Sequence, residues 1–285
     1  MMVYTVRLED RGVLRVGGDD AASFLQGLLT NDVERLPEGE ARYAALLSPQ
    51  GKILFDFLVL RIAAPSGAAF LVDCPAAQAA ELAKRLGFYR LRARVAIADE
   101  SARLAVIASW AEGDAPAERP SAGFAFADPR DPRLGFRAIV PVAEAPEASA
   151  TGLEAYEAHR IALGVPRGGV DFAYADIFPH DANLDLLHGV DFEKGCYVGQ
   201  EVVSRMRHRG GPRKRIVRLT IDGPPPAPGT PVVAGESTLG ALGSAAQGRA
   251  LAMLRLDRLE DARGLGQPLS AGGAAVAVDA DGPGF

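Results

Sequence analysis

Residues 191–211 have the sequence DFEKGCYVGQEVVSRMRHRGG, the most unusual stretch of this 285-residue chain. Cys196 follows Gly195 and lies two residues after Lys194. Glycine permits tight backbone geometry and the close approach of a partner. A cationic neighbour stabilises the thiolate, which is the nucleophile and the metal ligand. Cys196 is therefore either a reactive or metal-contacting cysteine, or a small residue buried in a glycine-rich turn, as free cysteines commonly are.

A run of cations continues this stretch. Residues 205–215 contain no acid, and their cations are Arg205, Arg207, Arg209, Arg213, Lys214 and Arg215, joined by His208. Such a run is either a solvated face or a site for carboxylates or phosphates, which suit arginine forks. Few aromatic residues are interleaved, so the pattern does not match a stacking surface for single-stranded nucleic acid. A small ligand with an anionic tail fits the run better.

Three further residues are candidates for a ligand site. Asp56 interrupts ILFDFLVL, an otherwise apolar strand-like segment at 53–60. A buried carboxylate is costly unless it is paired or hydrogen-bonded, so Asp56 either points into a pocket or lies at an edge facing water. Tyr43 and Tyr156 are candidate stacking faces for a planar ligand, or else ordinary core or surface tyrosines.

Composition limits the class of protein. The chain is 48% hydrophobic and 24% charged, which is ordinary globular composition and excludes a disordered chain, a collagen and a coiled coil. Its formal net charge of −5 argues against nucleic acid as a partner. The two cysteines form no disulfide framework, the N-terminus has no signal-like apolar region, and the apolar runs are too short to span a bilayer. We therefore expect a cytoplasmic protein with no membrane partner.

The pattern of apolar residues predicts an α+β chain. Apolar runs predict strands at 12–16, 41–47, 52–62, 68–73, 93–98 and 103–109. Helical spacing predicts helices that begin near residue 19, at 75–87 and at 153–163. Residues 167–195 contain many turn formers and few periodic apolar positions, which indicates irregular structure of the kind that is often functional. From residue 215 onward, short β-like runs between Gly/Pro turns predict a small barrel or sandwich.

Several segments together resemble one family. The motif KGCYVGQE at 194–201 resembles the K-G-C-Y-x-G-Q-E signature of the YgfZ family of folate-binding proteins, which are relatives of the T-protein (aminomethyltransferase) of the glycine cleavage system. Three more segments resemble the same family: FLQG with TND at 24–32, PQGK at 49–52, and HRIALGVPRGGVDF…FPHDANLD at 159–185. The resemblance covers most of residues 10–215.

The resemblance implies a fold, a ligand and a role. The fold would be α+β, with a T-protein-like folate-binding body of two subdomains around a central cavity at 1–210 and a C-terminal β-barrel domain at 211–285. The ligand would be tetrahydrofolate, alone or polyglutamated. The role would be iron–sulfur cluster assembly, maturation or repair, with iron–sulfur proteins or the assembly machinery as partners. Whether the chain has a folate-dependent, transferase-like activity stays open.

The resemblance also assigns residues. The family cysteine matches Cys196, the folate-contacting aspartate of T-proteins matches Asp56, and a tyrosine near the pterin matches Tyr43. We expect Cys196 and Asp56 to be catalytic, and we assign the anionic tail to the arginine run. The predicted folate contacts are Tyr43, Asp56, Tyr156, Lys194, Tyr197, Gln200, Arg207 and Arg209. No resident metal is predicted, because the eight-residue spacing of His180, His188 and Cys196 is not a usual ligand spacing.

One departure separates the chain from the T-proteins. Where they carry a glutamate that recognises the pterin, this chain has Ala162, so the pterin donors would need another carboxylate. Asp176, Asp181 or Asp185 could supply it. The alternative function is an aminomethyltransferase of the glycine cleavage type, against which Cys196 and Ala162 both argue. A third alternative, an RNA-binding module, would rest on the cationic run alone.

Overall fold

The computed structural model describes residues 3–65, 67–111, 117–208 and 211–279. The strands in these ranges are β1 (Val3–Arg7), β2 (Arg11–Gly18), β3 (Ala41–Leu47), β4 (Ile53–Ile62), β5 (Ala68–Pro75), β6 (Ala96–Asp99), β7 (Leu104–Ala111), β8 (Phe124–Ala127), β9 (Phe136–Pro141), β10 (Lys214–Ile221), β11 (Pro231–Ala234), β12 (Ser237–Ala246), β13 (Arg249–Arg255), β14 (Leu269–Ala271) and β15 (Ala274–Val278). The α-helices are α1 (Ala21–Gln26), α2 (Ala79–Arg90), α3 (Ala150–Ala162), α4 (Gln200–His208) and α5 (Leu256–Gly264). None of these helices is long and apolar enough to cross a membrane.

The contacts of the chain group it into two compact units. The first unit comprises Met1–Gln50, Leu54–Tyr156 and His188–Gln200. The second comprises Gly51–Ile53, Glu157–Leu187 and Glu201–Phe285. This grouping divides the chain differently from the predicted domains 1–210 and 211–285, because residues 157–187 group with the barrel segment.

A five-stranded antiparallel sheet of the first unit has the strand order β3-β4-β5-β2-β6. Its central strands are apolar on both faces, and β2 pairs with β5 along its whole length, from Arg11 opposite Pro75 to Gly18 opposite Ala68. The buried side chains of this sheet and its helices form one core cluster, which includes Leu25, Leu29, Phe57, Phe70 and Leu82. The predictions for β2 to β5 are confirmed, because uninterrupted apolar runs of this length favour buried strands.

A second antiparallel sheet of the same unit has the order β1-β7-β9-β8. In its centre, Ile107 of β7 lies opposite Ala138 of β9. The sequence predicted β7 but missed β1, β8 and β9. The signal was weak because β8 has only four residues and β9 alternates with Arg137, a buried cation that resembles a surface position in the sequence.

The C-terminal strands form a closed barrel in the order β10-β13-β12-β11-β14-β15, and β15 pairs back with β10. The barrel prediction is confirmed, but β12, β14 and α5 were missed. β12 has the sequence STLGALGSAA, whose small residues have low intrinsic β-propensity. Gly240 is nevertheless required, because a Cβ there would meet the carbonyl oxygen of Met253 on β13 at 1.8 Å. Close approach of the two strands therefore selects glycine at this position.

Candidate functional site

The motif lysine of the 194–201 segment is a buried structural anchor. Lys194 is 5% exposed, and its ammonium donates hydrogen bonds to the carbonyl oxygens of Gln26 (2.8 Å), Leu29 (2.7 Å) and Asn31 (2.9 Å). An ammonium has three N–H donors, so this set accounts for all of them. Burial lowers the pKa of Lys194 to about 8, although the carboxylate of Asp32 opposes the shift. The Lys194 ammonium thus holds the protein's own backbone. The folate contact by Lys194 stays a prediction.

The segment before the cysteine is held by the residues of the TND motif. The Thr30 hydroxyl donates to the carbonyl of Gly189 (2.6 Å), and the Asn31 amide donates to the carbonyl of His188 (2.6 Å). The backbone N–H of Asp191 donates to the Thr30 carbonyl (2.9 Å). These bonds join residues about 160 positions apart in the sequence within the first unit. Residues of the TND motif and of the segment 188–191 thus satisfy each other's polar groups.

Cys196 is exposed at the tip of this anchored loop. The alternative of a small buried residue is therefore wrong for Cys196, whereas it describes Cys74, whose thiol is fully buried and has its pKa raised by burial to about 12. The next residue, Tyr197, is buried, and the Lys194 ammonium lies 5.2 Å from the centre of its ring. The Cys196 thiol is thus exposed to solvent, while Lys194 and Tyr197 on either side of it are buried and hold the loop. Gly199 closes the loop with φ +82°, a conformation that favours glycine.

Asp56 lies inside the first unit, on β4, between β3 and β5 of the five-stranded sheet. It is 7% exposed, so the alternative of a water-facing edge position is wrong. The hydroxyl of Tyr43 on β3 donates to Asp56 Oδ2 at 2.9 Å. Tyr43 is itself buried, and its carbonyl accepts a hydrogen bond from the Asn31 amide (2.8 Å). Tyr43 therefore orients Asp56, and its buried ring does not present an open stacking face.

A buried arginine–carboxylate cluster shares the first unit with Asp56. Its charged members are Arg11, Asp73, Asp128, Arg130 and Arg137. Arg137 binds Asp73 (2.5 Å) and Asp128 (3.0 Å), Arg130 binds Asp128 through two N–H groups (2.9 and 2.7 Å), and Arg11 binds Asp73 (2.6 Å). Burial opposes the charge on both carboxylates, but the arginines outweigh it and hold their pKa values below the usual range. The cluster is thus a set of mutually satisfied buried charges.

The two predicted tyrosines are both tied to this cluster. Arg130 lies 5.8 Å from the centre of the Tyr43 ring. The Tyr156 hydroxyl accepts a hydrogen bond from Arg137 (2.7 Å), and its ring packs edge-on against Trp110 at 5.5 Å. Tyr156 is 6% exposed, and its ring contacts the indole of Trp110. Its stacking on a folate stays a prediction.

Sequence reasoning missed the cluster, although a signal for it exists. Residues 128–133 have the sequence DPRDPR, a tandem repeat of Asp-Pro-Arg. In each copy the aspartate accepts hydrogen bonds from the backbone and guanidinium of the arginine two positions later. The first pair, Asp128 and Arg130, is buried, whereas Arg133 of the second pair is largely exposed. The repeat predicts the Asp–Arg pairing in each copy, but whether a pair is buried depends on the fold.

Two arginines of the cationic run are paired with carboxylates. In the second unit, Arg215 donates to both carboxylate oxygens of Asp185 (2.9 and 2.8 Å). On α4, Arg205 pairs with Glu201 one helical turn earlier (2.5 Å), and both side chains are exposed. The run itself contains no acid, but these two arginines are paired with acids from other positions in the chain.

The remaining predicted contacts lie at or beyond the ends of α4. Gln200 is its first residue, and Arg207 is exposed in its last turn, whereas Arg209 lies outside the described residues. In the second unit, Asp181 accepts a hydrogen bond from the Phe178 N–H (3.3 Å), and burial raises the pKa of Asp181. Of the acids proposed to replace the T-protein glutamate, Asp185 and Asp181 thus have partners within their own unit.

A second buried network, also missed from the sequence, belongs to the second unit. Arg160 is 3% exposed and binds Glu157 (2.8 Å), Asp171 (3.1 Å) and the Ser244 hydroxyl (2.6 Å). Asp171 also accepts the backbone N–H of Ser244 on β12 (2.6 Å). This network gives Arg160 and Asp171 a structural role, since they attach the irregular segment to β12 of the barrel.

The fold and these sites define a class of protein. The structure is similar to the glycine cleavage system aminomethyltransferase T from Bartonella henselae, with a TM-score of 0.76 and 18% sequence identity over 98% of this chain and 85% of that one. Residues 8–110 match the GCVT N-terminal domain, and residues 213–282 match the CAF17 C-terminal beta-barrel domain. The predicted α+β fold, with a T-protein-like body and a C-terminal barrel, is thus confirmed.

Relatives narrow the class to a family. The mitochondrial iron–sulfur cluster assembly factor IBA57 is 35% identical in Homo sapiens, over 83% of this chain and 71% of that protein, and 34% identical in Mus musculus, over 78% and 68%. The Mycosarcoma maydis homologue is 37% identical, and this chain spans 59% of its length. The chain belongs to the IBA57 family. The YgfZ family, to which the cysteine motif was compared, is a related family.

Proposed function

We propose that this chain acts in the assembly, maturation or repair of iron–sulfur clusters and that it binds tetrahydrofolate. The cluster role is supported by relatives whose names state iron–sulfur cluster assembly. It is supported within the chain by one observation above all, which is that Cys196 is exposed on a loop whose base is fixed by three hydrogen bonds from Lys194.

Cys196 acts in this proposal as one thiolate ligand to a cluster that is cargo. Thiolates are the usual protein ligands of iron–sulfur clusters, and about four are needed for each cluster. Within the described ranges, no three His, Cys, Asp or Glu side chains are grouped as a metal site. The remaining ligands therefore come from a partner protein or a small thiol. Because the loop is fixed and the thiol is exposed, we expect Cys196 to share a cluster briefly with a partner and not to enclose it.

The folate part of the proposal rests on the donor and acceptor chemistry of the first unit. A pterin carries N–H donors that a carboxylate satisfies, and Asp56 is a buried carboxylate held in one orientation by Tyr43. When bound, a reduced folate supplies nitrogen atoms that carry one-carbon groups. Tyr197 and Gln200 stay predicted contacts, and Arg207 and Arg209 are proposed for the glutamate tail. The central cavity stays a prediction of the resemblance.

The alternative, aminomethyl transfer, is not favoured. At the position where T-proteins have a glutamate, Ala162 offers a methyl group and a backbone carbonyl that already accepts a hydrogen bond from Arg218. A methyl group cannot accept the pterin donors, and leaving them unpaired weakens binding.

Calorimetric titration of the reduced protein with tetrahydrofolate tests the ligand. Wild type should bind, Asp56→Asn should bind at least tenfold more weakly, and Cys196→Ala should bind like wild type. Binding by neither wild type nor Cys196→Ala would overturn the folate proposal, and loss of binding in Cys196→Ala alone would place the thiol in the ligand site.

A cytoplasmic location is also proposed, and fractionation of the host cell tests it.

A further inference from the structure

An exposed patch at the end of α2 combines large apolar side chains with unneutralised cations. We call it the basic apolar patch, and its members are Lys84, Phe88, Arg90, Leu91 and Arg92. Phe88 is 63% exposed and Leu91 is 89% exposed. Five of the eleven residues at 84–94 are Lys or Arg, in a chain whose formal net charge is −5. Exposed aromatic and aliphatic side chains grouped with arginine are typical of the centre of a protein interface.

The backbone holds Leu91 outward in a conformation that leucine rarely adopts. Leu91 has φ +41° and ψ −108°, and the turn is closed by a hydrogen bond from the Ala93 N–H to the Arg90 carbonyl (2.7 Å). These angles are close to the first corner of a type II′ turn, where glycine is usual. A strained leucine that also exposes its side chain has no benefit from the folded chain alone. Its position suits a contact with another molecule.

The protein offsets the charges of the patch only weakly. Within the described residues, Arg92 makes no ion pair, and the Arg90 guanidinium donates one long hydrogen bond, to the Val95 carbonyl (3.5 Å). Lys84 lies 4.0 Å from Glu81, and both of these side chains are more than half exposed. Exposed pairs of this kind contribute little. The patch therefore offers a positive rim around two apolar side chains, which complements an acidic surface with an apolar centre.

Helix α1 lies between the cysteine loop and Arg94, which is three residues after Leu91 of the patch. At the start of α1, Asp20 accepts hydrogen bonds from the backbone N–H of Arg94 (2.8 Å) and from its guanidinium (3.1 Å). At the end of α1, the Gln26 carbonyl accepts the Lys194 ammonium. The six residues of α1 span roughly 9 Å. A typical interface covers about 800 Å² per partner, a disc roughly 30 Å across, which is wider than the length of α1.

We propose that the basic apolar patch is the docking surface for an acidic protein that shares a cluster with Cys196. This inference rests on the proposed function. An anionic membrane or an RNA would also meet the cations. The ordered turn, the aromatic ring and the arginine-rich rim favour a protein.

The test uses the full chain in its native host with p-benzoylphenylalanine in place of Leu91. The matched control has the same photo-crosslinker in place of Leu265, which is 73% exposed on the barrel unit. Irradiation should yield, at position 91 only, an adduct with an acidic protein that binds an iron–sulfur cluster. Adding Arg90→Glu and Arg92→Glu should lower its yield at least fivefold. An adduct with lipid, RNA or a second copy of the chain would overturn the proposal, as would the absence of any adduct specific to position 91.

Rescue of an iron–sulfur enzyme in host cells lacking the chain separates the two proposals. If Cys196→Ser rescues fully, the proposed function fails. If Cys196→Ser fails to rescue but Phe88→Ser/Leu91→Ser rescues as well as Leu265→Ser, only the docking surface fails. The docking proposal expects the double variant to rescue at least fivefold less well than Leu265→Ser at equal protein level.

Discussion

The Lys194 ammonium donates a hydrogen bond to the carbonyl oxygen of Asn31 at 2.9 Å, and this bond connects the cysteine loop to the carboxylate site. The side chain of Asn31 in turn donates to the carbonyl of Tyr43, whose hydroxyl holds Asp56. Three consecutive hydrogen bonds thus join the exposed thiol segment to a buried carboxylate. The loop and the proposed folate site are parts of one hydrogen-bonded structure in the first unit.

Removing the ammonium should destabilise the first unit. Lys194→Met removes the donor from two buried carbonyl oxygens and one partly buried one, and we expect a loss of about 2–4 kcal/mol in the free energy of unfolding. Chemical denaturation measures it, and Lys84→Met, at an exposed lysine, should change stability by less than about 0.5 kcal/mol. Equal stabilities of the two variants would show that Lys194 is not an anchor.

The same lysine predicts a dependence on pH. Burial lowers the pKa of Lys194 to about 8 in the folded chain, whereas the unfolded chain has the ordinary value of 10.5. Between pH 8 and 10 the unfolded state therefore binds more protons, so this group makes stability rise with pH. The difference in unfolding free energy between wild type and Lys194→Met should grow over that window. A difference that stays flat or shrinks would contradict the assignment.

The tandem Asp-Pro-Arg repeat provides a matched pair for the buried cluster. Arg130→Ala leaves the Asp128 carboxylate buried beside a single remaining arginine, Arg137, and should cost about 3–5 kcal/mol. Arg133→Ala breaks the same local pairing at a largely exposed side chain and should cost less than about 1 kcal/mol. Thermal and chemical unfolding of both variants checks this. Similar losses of unfolding free energy in the two variants would mean that burial does not determine how much an Asp–Arg pair stabilises the chain.

Much of the fold was predictable from local patterns, and the site was predictable only in part. The apolar runs predicted β3 to β5, because a strand that is buried on both faces has an almost uninterrupted apolar sequence. The role of Lys194 was not predictable, since its partners are backbone carbonyls that any sequence could provide. Nor could the sequence separate the exposed Cys196 from the buried Cys74, because exposure depends on the loop geometry. Arg137 was missed because a cation inside a strand normally indicates the surface.

Relieving the strained turn at Leu91 should raise the stability of the chain and weaken its association with a partner. Leu91→Gly removes the side chain that opposes φ +41°, so the free energy of unfolding should rise by about 1 kcal/mol. The same change deletes an apolar contact of the basic apolar patch and should weaken partner association. Leu265→Gly, at an exposed leucine with φ −89°, should give no gain in stability. Unfolding curves of the two variants measure this. If the free energy of unfolding does not increase in Leu91→Gly, the backbone of Leu91 is not strained.

The arginines at the end of α4 should distinguish folates by the length of the tail. Arg207→Ala/Arg209→Ala should lower affinity for polyglutamated tetrahydrofolate by roughly fivefold, about 1 kcal/mol, because exposed ion pairs are individually weak. The monoglutamate should be affected little. Arg205→Ala is the control, since Arg205 pairs with Glu201. Titration of each variant with both ligands measures the effect, and equal losses for the two ligands would exclude a role for these arginines in binding the tail.

The central claim is that the exposed thiol of Cys196 supports iron–sulfur cluster assembly. The most direct measurement is the activity of an iron–sulfur-dependent enzyme in host cells that lack the chain and carry either wild type, Cys196→Ser or Cys74→Ala at equal protein level. We expect Cys196→Ser to leave activity near that of the uncomplemented cells, while Cys74→Ala, at a buried thiol, restores it. Full restoration by Cys196→Ser would contradict the account.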